Sequence, residues 1–523
     1  MRFANKLSSK LSNKLPNKFV TTFSALLLGL VCGGPAFAQI PLTLDTAKGQ
    51  LQGVAVADDL RVYRGIPYAA PPVGENRWRA PQPLEGWDGV RDASAFASRC
   101  MQRGDAADMS EDCLYLNVWS AAPNQDALQP VILWLHGGGF SSGAGSNPGY
   151  DGAALARQGA VVVTINYRLG PFGFFAHPAL TAEAGAQSSG NYALLDMIAA
   201  LEWVYDNIAA FGGDPINVSI VGESAGAQAV AALLASPRAA GLFHRAVAQS
   251  GGWMGLGINR LPTLSEREAR GSADAEAAGA TTLEQLRALP AQSVLENFGG
   301  GGIITDGYVL ARDPSLIYAA GQQQPVDILA GSNANEATFF GGSPSTVQAL
   351  RDYAANQYGA LAEEFLTLYP ANSDADAQAA YQRAFTDALA WQMRQLALYQ
   401  GQRGLGAYAY YFTRVPPGQE ARGASHTAEL PYMFNQSAQH PEWLDGDRAL
   451  ANTMSNYWVR FAASTNPNSR GLPTWPAYRT STAQAQTLDF NIEPQAESIP
   501  SAQVLEFFDK AYAQLLSELE AAQ

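Results

Sequence analysis

The chain has 523 residues, of which 47% are hydrophobic and 15% charged, and its net charge is −14 at pH 7. This composition supports a large core and excludes an intrinsically disordered protein; the acidity argues against nucleic acid and anionic membrane surfaces as partners. Length alone divides into roughly two to four domains, although α/β enzymes built on one sheet reach this size as a single unit.

In chain order, residues 1–38 read as a cleaved signal peptide. Arg2, Lys6, Lys10, Lys14 and Lys18 make a basic start with no acidic residue; "FSALLLGLV" (23–31) is the apolar stretch and "AFA" (36–38) the small-x-small cleavage signal, placing cleavage after Ala38. The apolar run is too short to span a bilayer, and no later segment approaches 18 apolar residues. Val31 stands where a lipoprotein signal needs a small residue before Cys32, which disfavours a lipid anchor. The expectation is a secreted or periplasmic protein without stable membrane insertion, its mature chain (39–523) five charges more negative than the whole. Export removes Cys32 and leaves Cys100 and Cys113, two thiols expected to pair in an oxidising compartment. No histidine lies near either in sequence, so a metal site is a poor reading.

Residues 40–120 read as short strands with turns, in "GQLQGVAV", "LRVYRGIPYAAPPVG" and "LYLNVW". "PVILWLHGGGF" (130–140) and "AVVVTINYRLG" (160–170) are continuous apolar runs ending in loops, the pattern of strands buried on both faces. Residues 191–212 carry helical spacing, "INVSIVGES" (216–224) is another buried strand, and "AGAQAVAALLAS" after it is strongly helix-forming. "FHRAVAQSG" (243–251) and "VDILAGSNANE" (326–336) read as further strands ending in polar loops. This alternation predicts an α/β fold: a mostly parallel central sheet with helices on both faces, its functional groups at the carboxyl ends of the strands. Segments 262–300 and 341–400 are helical by pattern and expected as cap insertions.

"VGESAGAQAV" (221–230) puts Ser224 between Gly222 and Gly226 at a strand-to-helix junction, the setting of a nucleophile elbow. Glycines let neighbouring backbone approach, and the helix N-terminus directs N–H groups at developing negative charge. "HGGGF" (136–140) follows a buried strand, so the N–H groups of Gly138 and Gly139, with that of Ala225, are candidates for an oxyanion hole. No Gly-Lys-Ser/Thr follows these glycines, which argues against a phosphate loop. In this arrangement the acid and then the histidine follow the serine. Of the five histidines, His136 and His177 precede Ser224, His244 leads into an apolar strand, and His440 lies in polar "AQHPEW"; His426, in "RGASHTAELPYMF", is the candidate base. Glu336, at the end of an apolar run, is the candidate acid, with Asp306 in "TDGYVL" as its rival.

Several longer stretches then converge: "YRGIPYAAPPVGENRW" (63–78), "SEDCLYLNVW" (110–119), "VTINYRLGPFGF" (163–174), "GESAG" (222–226) and "YWVRFAASTNPN" (457–468). With these the chain resembles the type-B carboxylesterases, the cholinesterase-like branch of the α/β-hydrolases, over about residues 45–515. The resemblance implies the α/β-hydrolase fold with helical cap insertions, and a serine carboxylesterase acting on small-molecule esters without metal or organic cofactor. It implies Ser224 as nucleophile, Glu336 as acid and His426 as base, with Gly138, Gly139 and Ala225 as oxyanion donors. It pairs Cys113 with Cys100 and predicts ion pairs Arg77–Glu111 and Arg168–Asp196. Glu223 is expected to polarise the site, Trp253 to line the acyl side, and Phe339 to lie near the mouth. One departure stands out: in cholinesterases the loop between these cysteines is longer and carries a choline-stacking tryptophan. Here "MQRGDAADMSED" (101–112) is short and has no aromatic residue, so the main cation–π partner of a quaternary ammonium is missing. Hydrolysis of a related bond (amide, carbamate or polymer ester) and a non-catalytic binding module are the alternatives; the natural ester and the oligomeric state are not readable.

Overall fold

The computed structural model describes residues 39–104, 107–252, 261–299, 301–340, 344–478, 486–497 and 500–522; the expected signal peptide lies outside them. An eleven-stranded sheet organises these residues. Its spatial order is Val54–Ala57, Leu60–Pro67, Tyr115–Ser120, Val161–Ile165, Gln129–Leu135, Gly213–Glu223, Arg245–Gln249, Asp327–Asn333, Ala407–Phe412, Thr487–Phe490 and Gln495–Glu497. From Val161–Ile165 to Thr487–Phe490 every pairing is parallel. The pairings beyond, at both ends, are antiparallel.

Successive residues of a strand face opposite sides of a sheet, and here both sides are covered. Val131, Leu133, Leu135, Val161, Val163 and Ile165 belong to one core with Leu194, Leu201 and Leu233 from the helices Tyr192–Asn207 and Ala225–Ala235. Ile132, Trp134, Val162 and Val221 belong to a second core with Leu450, Met454, Trp458 and Phe461 from the helix Asp445–Ser464. This double burial is why "VVVTI" is apolar without alternation.

The two helical insertions form Leu264–Ala277, Leu283–Ala288 and Ala291–Asn297, then Val347–Tyr358, Ala362–Leu368 and Asp374–Gln402. Thr263 with Glu266, and Thr282 with Gln285, make reciprocal side-chain caps that start the first two. Cys100 and Cys113 are joined, their Cα atoms 5.0 Å apart. Arg77 grips Glu111 through two bonds of 2.7 and 2.5 Å. Arg168 grips Asp196 at 2.9 and 2.6 Å in a buried site. No helix among the described residues is long and apolar enough to cross a membrane.

Candidate active site

The strand Gly213–Glu223 delivers Ser224 to the start of the helix Ala225–Ala235 with φ 56° and ψ −124°. A non-glycine residue held there stores about 1–3 kcal/mol of strain. The turn is fixed from two sides: the Ser224 N–H donates to the Gln249 carbonyl (2.9 Å), and the Ser224 carbonyl accepts from the Gln228 N–H (3.0 Å). The flanking glycines are required by crowding. A Cβ on Gly222 would stand 2.5 Å from the Gly226 backbone, and one on Gly226 would stand 2.0 Å from the Leu135 carbonyl oxygen. Ser224 is half-buried, and its hydroxyl makes no hydrogen bond among the described residues.

The loop after Leu135 lies against this turn; a Cβ on Gly137 would come within 3.0 Å of the Ser224 Cβ. Burial pushes the His136 imidazole down to about 4, so it is neutral at physiological pH. Its Nδ1 lies 2.8 Å from the Gly137 carbonyl and its ring stacks on Tyr167 at 4.2 Å. His136 thus anchors the loop. Gly138 has φ 106° and its Cβ position falls 2.2 Å from the Ser142 carbonyl, so only glycine fits. Gly138 and Gly139 are exposed, and neither N–H has an acceptor among the described residues. Ala225 opens the helix, where N–H groups have no intrahelical partner. Gln102, between the two cysteines, clasps Gly143 by both its carbonyl and its N–H, each at 2.9 Å.

The structure brings Glu336 and His426 together. Both are buried, and the His426 Nδ1 lies 2.6 Å from the Glu336 Oε2. The other Glu336 oxygen accepts the Asn333 N–H at 2.7 Å. Their loops are stitched by backbone: Asn335 N–H donates to the Ala424 carbonyl (2.9 Å), and the Ala424 N–H donates to the Asn335 side chain (3.0 Å). The Asn333 amide adds a bond to the Ser425 carbonyl at 2.9 Å. The imidazole Nε2 faces the Glu223 Oε1 at 3.1 Å rather than a serine hydroxyl.

Two further residues complete the surroundings, and the sequence reading passed over both. Glu429, three residues beyond His426 in "HTAE", is fully buried and accepts from Gln249 (3.0 Å) and Asn333 (2.5 Å). Gln249 is held in turn by the Trp458 indole at 3.0 Å. The spacing of three from His426 was the available signal for Glu429. Burial raises the Glu223 carboxyl to about 8, opposed by His426 and reinforced by Glu429 and Glu336. Burial raises Glu429 too, partly offset by its bond from Asn333. For His426 burial disfavours the charged ring, but Glu223 and Glu336 outweigh it and raise the imidazole to about 9.

The remaining candidates fall as follows. Phe339 and Phe340 are exposed, with ring centres 5.4 and 4.8 Å from that of His426, an apolar wall beside the imidazole. Trp253 lies outside the described residues. Asp306 is not near the histidine: it accepts the N–H groups of Tyr308, Val309 and Leu310 and the Ser188 hydroxyl, a turn-forming role. His177 caps a short helix, His244 accepts the Val218 N–H, and His440 stacks on Trp443 beside Glu442.

Comparison with known proteins agrees with this architecture. A profile described as the carboxylesterase family matches residues 40–508. The chain is 40% identical to a fumonisin B1 esterase of Sphingopyxis macrogoltabida, over 84% of this chain and 84% of that protein. It is 35% identical to a para-nitrobenzyl esterase of Bacillus subtilis (strain 168), over 86% and 96%. A solved PNB esterase superposes with a TM-score of 0.77 at 33% identity, covering 89% of this chain and 99% of the other. With the α/β-hydrolase sheet, the serine turn and a family match along nearly its whole length, the chain belongs to the carboxylesterase family.

Proposed function

We propose that this chain is an exported serine esterase that hydrolyses carboxylic esters through an acyl-enzyme intermediate, with Ser224 as nucleophile, His426 as base and Glu336 as acid. The observation that carries the reading is the Glu336–His426 bond of 2.6 Å beside a strained serine at a helix start. Ser224 Oγ attacks the ester carbonyl carbon while its proton passes to His426 Nε2. Glu336 holds Nδ1 and stabilises the imidazolium that forms. The negative charge on the former carbonyl oxygen is met by the N–H groups of Gly138, Gly139 and Ala225; losing one such donor typically costs roughly 2.7–4 kcal/mol in the barrier. Collapse expels the alcohol, which takes the proton from His426. Water then gives its proton to His426 and attacks the acyl carbon; on collapse His426 returns that proton to the departing Ser224 Oγ and the acid is released.

The relatives' names cover chemically different substrates, including fumonisin B1 and phenmedipham, so the class of reaction transfers more safely than the substrate. Export rests on the basic, apolar and "AFA" segments of residues 1–38, and the Cys100–Cys113 bridge is in keeping with it. Ser224→Ala should abolish turnover of p-nitrophenyl butyrate by a folded protein, and an alkyl phosphonate should label Ser224 covalently. Undiminished turnover in the variant would overturn the assignment.

A further inference from the structure

A cavity of about 460 Å³ adjoins the glycine loop. Its lining includes Gly139 of that loop, Gln228 and Ala232 of the helix that follows Ser224, and Glu266, Arg267 and Arg270 of the helix Leu264–Ala277. The three charged residues differ in what they are already bonded to. Arg270 is paired with Asp274 at 2.9 Å. Glu266 accepts the Thr263 N–H and hydroxyl at 2.7 and 3.1 Å, closing the helix cap. Arg267 is half-buried, its Nε is enclosed without an acceptor, and its guanidinium makes no hydrogen bond or ion pair among the described residues. A guanidinium keeps its charge and presents five donors in a plane that matches a carboxylate. Shutting the Arg267 Nε from water without a partner carries a cost; burial and the neighbouring Arg270 press against its charge, while the Glu266 carboxylate favours it. Its donors are left without an acceptor among the described residues.

We propose that Arg267 recognises a carboxylate carried by the substrate, so that the esters this enzyme favours are anionic: half-esters of di- or polycarboxylic acids, or esters of hydroxy acids. The inference rests on the serine-esterase reading and adds the substrate class. Gly139 connects the two sites, because its N–H is one of the assigned oxyanion donors and its backbone lines the cavity. A carbonyl oxygen held there sends one arm of the ester into the cavity. The hydrolysis itself is unchanged: water is consumed and an acid and an alcohol are released. An overall charge of −14 repels anions in general, so a local cation is what lets an anionic ester dwell in this cleft.

The test compares kcat/KM on matched esters. Mono-4-nitrophenyl glutarate carries the carboxylate on the acyl arm, with 4-nitrophenyl butyrate as its neutral partner. 4-Acetoxybenzoate carries it on the alcohol arm, with its methyl ester as the neutral partner. In Arg267→Gln the anionic-to-neutral ratio should fall about 10- to 100-fold for one of the two pairs, the scale of a lost charge-assisted bond; which pair responds identifies the arm. Arg267→Lys should recover part of the ratio. An unchanged ratio in both pairs overturns the inference. Wild-type enzyme provides a measure independent of the variant's folding: glutarate should inhibit neutral-ester hydrolysis competitively and at least tenfold more strongly than glutaramide, and equal inhibition also overturns it. Ser224→Ala separates the two readings. If that variant still turns over the neutral ester, the esterase assignment fails; if it is inactive while the ratios ignore Arg267, only the anionic-substrate inference fails.

Discussion

Replacing Glu336 by glutamine probes the core of the site, because the structure dictates how the new amide must sit. One Glu336 oxygen accepts the Asn333 N–H at 2.7 Å, and only the carbonyl oxygen of a glutamine can keep that bond. The amide NH₂ is then turned toward the His426 Nδ1, where the carboxylate had been at 2.6 Å. An N–H donor there forces the ring proton onto Nε2, the nitrogen that accepts the serine proton in the proposed mechanism. The charge that stabilises the imidazolium is lost as well. Breaking a buried charged pair costs about 3–5 kcal/mol, which at 1.36 kcal/mol per decade is about 10²- to 10⁴-fold in rate. The wrong tautomer pushes the expectation to the upper part of that range. The assay is kcat on p-nitrophenyl butyrate beside a thermal melt, since the retained Asn333 bond should keep the loop folded. Glu336→Asp keeps the charge and cannot donate, so it should lose far less. Glu336→Gln retaining more than about a tenth of wild-type kcat would refute the reasoning.

Two other perturbations test the surroundings. Glu223→Gln removes a carboxylate that favours the charged form of His426, so the imidazole should lose its proton at lower pH; because the base must be unprotonated, the rising limb of kcat/KM should move down by about 1 to 3 pH units. A limb that stays in place or moves up would contradict the opposition of Glu223 and Nε2 at 3.1 Å. Cys113→Ser opens a loop closed across 13 positions and should lower stability by about 3 kcal/mol or less, read as faster thermal inactivation; no change would show that the clasp of Gln102 on Gly143 holds the loop alone.

What the sequence made legible was whatever had a local cause. The parallel strands showed because burial on both faces removes polar residues from "VILWL" and "VVVTI". Ser224 showed because crowding admits only glycine at Gly222 and Gly226. The strands Ala407–Phe412 and Thr487–Phe490 went unread: "AYAYYF" and "TLDF" are short, and the neighbours of Ala407–Phe412 in the sheet come from distant parts of the chain. Glu429 was missed for a similar reason. A lone glutamate reads as a surface charge until Asn333 and Gln249, 96 and 180 positions away, are seen donating to it. Arg267 belongs to the same class, since nothing in "LSEREAR" separates it from the solvated arginine one turn on.

If Arg267 binds the substrate's carboxylate, the site should select one orientation for an anionic ester. Glu223, Glu336 and Glu429 surround His426, and burial, reinforced by neighbouring carboxylates, keeps Glu223 and Glu429 above the usual carboxylate range. Such a cluster holds the imidazolium well once it forms, and it contains no cation other than that imidazolium. A substrate with a free carboxylate is therefore disfavoured beside His426, where Phe339 and Phe340 offer only apolar surface. The cavity that Gly139 lines offers Arg267 instead, with Arg270 and Glu266 beside it. Attraction by Arg267 acts on one arm only, so an anionic ester should bind one way round and a neutral ester should not be so constrained. Arg267→Gln then has a second signature: on an ester carrying one acyl group at each end, one of them beside a carboxylate, wild-type enzyme should release a single regioisomer and the variant a mixture. A mixture from the wild type would mean that the charge asymmetry does not reach the bound ester.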